Sequence, residues 1–200
     1  MAAHGLSIDD QAILTLFGNV ESSVEADRYL PYREVLSKVV DEFGRELDFQ
    51  PSEAERHSLA ESIRDWPTFT DTVPALAALK GRYRLAIISN IDDDLFAYSA
   101  PKLTVDFDEV VTAQQVGAYK PSPENFSVAF RRLGYGPDRI LHVAQSLYHD
   151  IAPARQLGLS CVWVNRRAGK VGSGATAPTT AEPDLEVPDL NTLTELMGLA

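Results

Sequence analysis

Apolar positions follow two different rhythms along the chain. Over the first third they recur at helical spacing. Ile8, Ala12, Leu14, Leu16, Phe17 and Val20 predict a helix with Ser7 as its N-cap. A second helix is predicted from Pro31, a residue suited to a first turn, through Val35, Leu36, Val39, Val40 and Phe43. A third covers residues 52–66. After Trp66-Pro67 short apolar runs alternate with helical stretches: a helix over Thr72–Lys80, a buried strand over 83–89, a helix over 92–99 and a strand over Glu109–Thr112. A helix over Pro123–Leu133 follows, then a strand over 140–144, a helix over 149–157 and a strand over Ser160–Val164. Residues 168–187, rich in small residues and proline, read as a surface loop with a short edge strand at Leu185–Val187, and 191–199 as a closing helix.

Buried runs alternating with helices imply parallel crossovers in a three-layer α/β arrangement, so residues 1–70 read as a helical unit and 71–200 as an α/β unit. Two hundred residues with 44% hydrophobic and 24% charged side chains suffice for such a core without staples. The net charge of −11 argues against a phosphate-binding basic face, hence against nucleic acid as a partner. Six basic and fourteen acidic side chains fall in residues 1–70, read most simply as solvated helix faces. The single cysteine, Cys161, cannot form an internal disulfide and sits in an apolar strand as an inert core residue. No stretch approaches the roughly 18 apolar residues of a membrane span. The N-terminus carries neither a basic nor an apolar run, so the expected location is the cytoplasm.

Three polar clusters each follow an expected strand: Ser89-Asn90, Lys120-Pro121, and Gln145-Ser146 with Asp150. Singly each has a plain reading: a helix cap, a surface lysine, a carboxylate at a helix start. Together they are more, because parallel topology brings successive strand ends to one edge. A hydroxyl, an ammonium and a carboxylate converging there could bind an anionic substrate and assist displacement at its reacting centre.

In that order Ile87-Ile88-Ser89-Asn90, Gly117-Ala118-Tyr119-Lys120-Pro121 and His142-Val143-Ala144-Gln145-Ser146-Leu147-Tyr148-His149-Asp150 resemble the second, third and fourth motifs of the haloacid dehalogenase (HAD) superfamily. The likeness is nearest to the group of type II 2-haloacid dehalogenases and spans nearly all of residues 8–198. It implies a Rossmann-like HAD core over 71–200 with a helical cap domain over 1–70. It also implies roles: Ser89 donates to the substrate's anionic group, Asn90 and Ser146 line the same pocket, and Lys120 holds a nucleophilic carboxylate. Asp150 positions the hydrolytic water, or coordinates magnesium in phosphatase members. The implied partners are a small anionic substrate and, at most, a second copy of the chain in a homodimer. The implied cofactor is none, or Mg2+ if the activity is a phosphatase.

The chain departs from the family pattern in two respects. Members begin with a strand ending in Asp-x-x-Gly-Thr or Asp-x-Asp-Gly-Thr, whose first Asp forms a covalent aspartyl ester. No such motif occurs here, and Asp9-Asp10 follows no strand and lacks the glycine and threonine. The expectation is therefore a truncated chain, without the first core strand and inactive for want of the nucleophile. The rival is a non-catalytic binding protein on the same fold. Secondly, Gln145 stands where magnesium-dependent phosphatases place an Asp, which tilts the reading from phosphatase toward dehalogenase. The tilt is limited, because type II dehalogenases carry an Asn near Leu147 and a Tyr near Phe126, and both are absent.

Other residues have plainer readings. Ser146, His149 and Asp150 are too close in sequence for a catalytic triad and lack a nucleophile elbow. Asp92-Asp93-Asp94 reads as a helix cap. Tyr29 and Tyr32 read as packing residues, and Arg33 as a surface ion pair.

Overall fold

The computed structural model describes residues 4–170 and 174–199; residues 171–173, inside the expected loop, lie outside that range. Three helices make up the first third: α1 (Asp10–Glu25), α2 (Tyr32–Glu46) and α3 (Glu53–Ser62), the last running into a 3-10 turn at Ile63–Asp65. The α1 N-cap is Asp9 and not Ser7, because the Asp9 carboxylate accepts the Ala12 N–H at 2.9 Å, an arrangement the helix dipole also favours. At α3, Ser52 and Glu55 cap each other's backbone reciprocally. α2 buries Val35, Leu36, Val39, Val40 and Phe43 on one face. Just past that stripe, a Cβ on Gly44 would lie 2.7 Å from the Phe49 carbonyl oxygen, so only glycine lets the chain fold back so closely.

From residue 72 helices and strands alternate: α4 (Thr72–Lys80), β1 (Ala86–Ser89), α5 (Asp93–Leu103), β2 (Glu109–Thr112), α6 (Ala113–Val116) and α7 (Pro123–Leu133). Then come β3 (Leu141–Ala144), a π-helical turn at Leu147–Ile151, α8 (Ala152–Gln156), β4 (Ser160–Val164), β5 (Leu185–Val187) and α9 (Leu190–Leu196). Every ladder is parallel, as the crossover pattern requires. β1 is shorter than the apolar run suggests. The Asp108 carboxylate takes the Leu85 N–H at 2.8 Å and pairs with Lys80, so a side chain replaces the ladder at that end. The short α6, capped by Thr112 and closed by Gly117 at φ 74°, has no counterpart in the apolar pattern.

The strands form two sheets, β1–β2 and β3–β4–β5. Among the described residues no ladder joins β1 to β3. Side chains connect them instead: Ile88 of β1 and Ala144 of β3 pack on one cluster of Phe126, Ile151, Ala154, Leu159 and Cys161. Cys161 is buried, as its apolar context implies.

Helical and α/β parts meet along α5. Leu95 packs with Leu36, Ala60 and Ile63. Asp92 does cap a helix, but not the one it precedes. Its two carboxylate oxygens accept the Tyr32 and Arg33 N–H groups at 2.8 and 3.0 Å, satisfying the first turn of α2. Pro31 at the α2 N-cap has no side chain able to do this, so the acceptor comes from elsewhere in the fold.

Candidate functional site

The loops that follow β1, α6 and β3 bring Asn90, Lys120 and Asp150 together. Ser89 closes β1 in register with Thr112, half-buried, and its carbonyl accepts the Ile91 N–H. The next residue, Asn90, clamps the loop after α6: its Oδ1 accepts the Lys120 N–H at 2.7 Å and its Nδ2 donates to the Lys120 carbonyl at 3.0 Å. Both amide atoms are thereby assigned by their partners.

Lys120, fixed at its backbone, reaches back across the sheet boundary. Its Nζ donates to the Ile88 carbonyl at 2.8 Å and to Asp150 Oδ1 at 2.7 Å. Both side chains are only 9% exposed, so each charge depends on the other. His142 of β3 adds its Nε2 at 3.0 Å from the same Asp150 oxygen. Burial alone would raise the Asp150 carboxyl. The Lys120 charge and the hydrogen bonds from His142 and Lys120 outweigh it and hold the group well below the usual carboxylate range.

Ser146 caps the π-helical turn, accepting the His149 N–H at 3.0 Å, and its Oγ lies 3.2 Å from His149 Nδ1. Asp150 turns away from this pair toward Lys120 and His142. The three residues therefore form no relay, in keeping with the rejection of a triad on sequence grounds. Of the other plain readings, Arg33 pairs with Asp94 at 2.5 Å and the Tyr32 hydroxyl donates to Glu21 Oε1 at 2.6 Å.

The residues that sequence patterning missed come from α1. Glu21 and Glu25 lie one turn apart and both are buried, with Glu25 facing the site. Glu25 Oε2 is 3.4 Å from Asn90 Nδ2 and 3.8 Å from His149 Nε2. Burial, then the neighbouring Glu21, push the Glu25 carboxyl up to about 9 against the pull of Lys120 and Asn90. Glu21 is pushed up to about 7, again by burial, despite its bond from Tyr32. Burial likewise takes His149 down to about 4. A signal was present in the sequence: Glu21 and Glu25 continue the stripe begun by Leu14 and Phe17, where an amphipathic helix places apolar residues.

Beside this cluster, a cleft of about 290 Å³ lies between Gln145, Trp163, Asn165 and Lys170. The donor set suits magnesium poorly. Asp150 is the carboxylate that follows β3, its Oδ1 is taken by Lys120 and His142, and Gln145 is neutral. Among the described residues no three His, Cys, Asp or Glu side chains gather as a metal site.

Comparison with known proteins shows the family of the chain. A family profile described as haloacid dehalogenase-like hydrolase matches residues 11–158. A glyceraldehyde 3-phosphate phosphatase of Methanothermobacter thermautotrophicus is 37% identical over 105 residues, 52% of this chain and 46% of that protein. An (S)-2-haloacid dehalogenase of Burkholderia cepacia is 30% identical over 112 residues, 54% of this chain and 48% of that protein. The matched region thus spans about half the length of these curated relatives. The solved structure of an L-2-haloacid dehalogenase from Xanthobacter autotrophicus, with chloropropionic acid covalently bound, shares the fold. Its TM-score is 0.77 at 22% identity, covering 94% of this chain and 87% of that one.

Proposed function

For a chain that belongs to the haloacid dehalogenase-like hydrolases, we propose a site that binds a small anionic substrate, with a 2-haloacid as the leading class. The observation that carries this reading is the Lys120 ammonium, buried between the Ile88 carbonyl and Asp150 and held at its backbone by Asn90. A buried cation and convergent polar groups favour a ligand of negative charge over a neutral one. Ser89 supplies a hydroxyl donor to the anionic group, Asn90 and Ser146 line the pocket, and Asp150 fixes Lys120. In the complete reaction a carboxylate oxygen displaces halide from the carbon it attacks, and water then hydrolyses the resulting ester. Lys120 balances the charge of that carboxylate. The 200 residues contain no Asp-x-x-Gly-Thr to provide it, so this chain binds the substrate without turning it over.

The second reading, a phosphatase, draws on the similarity to the archaeal phosphatase and is weakened by Gln145. Titration calorimetry of the chain with (S)-2-chloropropionate and with inorganic phosphate tests both. Saturable binding of the haloacid, with no chloride released, is expected. Binding of phosphate alone would favour the second reading, and binding of neither would overturn the anionic-substrate reading. Chloride release would overturn the assignment of this chain as inactive.

A further inference from the structure

Two buried polar atoms at the site have no partner in the protein: Glu25 Oε1 and His149 Nε2. They belong to side chains that face each other, Glu25 Oε2 lying 3.8 Å from His149 Nε2, and these side chains are 6% and 10% exposed. Buried polar atoms are almost always paired, so two unpaired ones side by side call for a ligand atom between them.

Their protons fix which kind of atom that is. The Ser146 hydroxyl oxygen already accepts the His149 backbone N–H, so its own hydrogen is free for His149 Nδ1 at 3.2 Å. With Ser146 as the donor in that bond, Nδ1 is the acceptor and the ring proton sits on Nε2, on the side of Glu25. On the other side, Asn90 Nδ2 donates to Glu25 Oε2, which leaves Oε1 to carry the carboxyl hydrogen. The groups around Glu25 favour that neutral form. Glu21 stands one turn away on the same helix, and Lys120, the nearest cation, is committed to Asp150. Tyr32 is engaged with Glu21. Two N–H or O–H donors with no acceptor between them define a seat for an acceptor.

We propose that Glu25 Oε1–H of α1 and His149 Nε2–H of the π-helical turn form a two-donor seat for an oxyanion of the substrate. The helical unit thus reads the ligand's charge with a neutral carboxylic acid and not with a cation. This rests on the anionic-substrate reading above. The oxyanion could be a carboxylate or a phosphate, and the probes (S)-2-chloropropionate and inorganic phosphate separate these sources.

Binding of both probes is measured by calorimetry to the full chain and to the Glu25→Gln, Glu25→Ala and His149→Phe variants, with thermal melts confirming that each is folded. Glu25→Ala and His149→Phe should each weaken binding of one or both probes about tenfold, the loss of one hydrogen bond to a charged group. Glu25→Gln, whose amide still donates, should stay within about threefold of the parent at neutral pH. From about pH 7 to about pH 10 the parent should lose affinity for the haloacid as Glu25 ionises, whereas Glu25→Gln should not. Tighter binding by Glu25→Gln at neutral pH would mean an ionised, repelling Glu25 and would overturn the seat. So would unchanged affinity in Glu25→Ala. In both cases the anionic-substrate reading survives, because the parent binds. Failure of the parent to bind either probe removes both.

Discussion

Asp150 Oδ1 receives the Lys120 ammonium at 2.7 Å and lies 3.0 Å from His142 Nε2, so a single carboxylate oxygen joins the loop after α6 to β3 and to the π-helical turn that follows it. Because among the described residues β1 and β3 share no ladder, this contact and the packing of Ile88 and Ala144 on one cluster connect the two sheets. Replacing Lys120 with Met leaves Asp150 buried without its counter-charge and should destabilise the chain by ~3–5 kcal/mol. Asp150→Asn strands the Lys120 charge in the same way and should cost a similar amount. Urea unfolding of the two single variants and the double variant checks this. Additive losses would show that the pair is not coupled.

The buried acids set an unusual pH dependence. Glu21 and Glu25, held up to about 7 and about 9 when folded, ionise near 4.5 when unfolded. Between those values the folded chain keeps protons that the unfolded chain releases, so stability falls as pH rises. Asp150, held low when folded, acts oppositely: its contribution is lost as pH falls below the unfolded value of 3.8. Maximal stability should therefore lie on the acidic side of neutrality. Glu25→Gln should stabilise the chain by ~2 kcal/mol at alkaline pH and by little near pH 4. Denaturant midpoints measured across pH test the slope, and a flat profile in the parent would contradict it.

Asp92→Ala should uncap α2 and cost ~1–2 kcal/mol. Hydrogen exchange should quicken first at the Tyr32 and Arg33 amides, whose acceptor it removes. If other α2 amides exchange faster while these two do not, the cap assignment is wrong.

Leu95 is fully buried where α2, α3 and α5 meet. Truncation to Ala should cost ~3–4 kcal/mol, within the range for buried leucines. A proteolysis assay should show cleavage favoured within the helical unit, in the connection between α1 and α2 at residues 26–31, ahead of cleavage in the α/β unit.

Much of this was readable from the chain. Thr72–Lys80, Glu109–Thr112, Pro123–Leu133 and Ser160–Val164 begin and end where their patterns put them, because each is bounded by strong local punctuation or a sharp change of period. The meeting of Lys120 and Asp150 is what parallel crossovers predict for residues that follow successive strands. Apart from the α1 N-cap and the short α6, the failures involve partners distant in sequence. The Asp108 carboxylate shortens β1, Asp92 caps a helix sixty residues earlier, and Glu25 meets His149 only because α1 packs over the strand ends. Local periodicity carries no information about such contacts. It does flag an acid on an apolar stripe, which was the available clue to Glu25.

The first turn of α5 grips α2 at two points. Asp92 holds the start of α2 by its backbone, and Leu95, one turn on, holds the same helix by its side chain. A rocking motion of the helical unit would turn about that short line. Glu25, seven residues before Tyr32 in the chain, rides close to the pivot, whereas the far end of α2 and the start of α3 sweep the wide arc. Entry to the strand ends could thus open without carrying Glu25 far from His149.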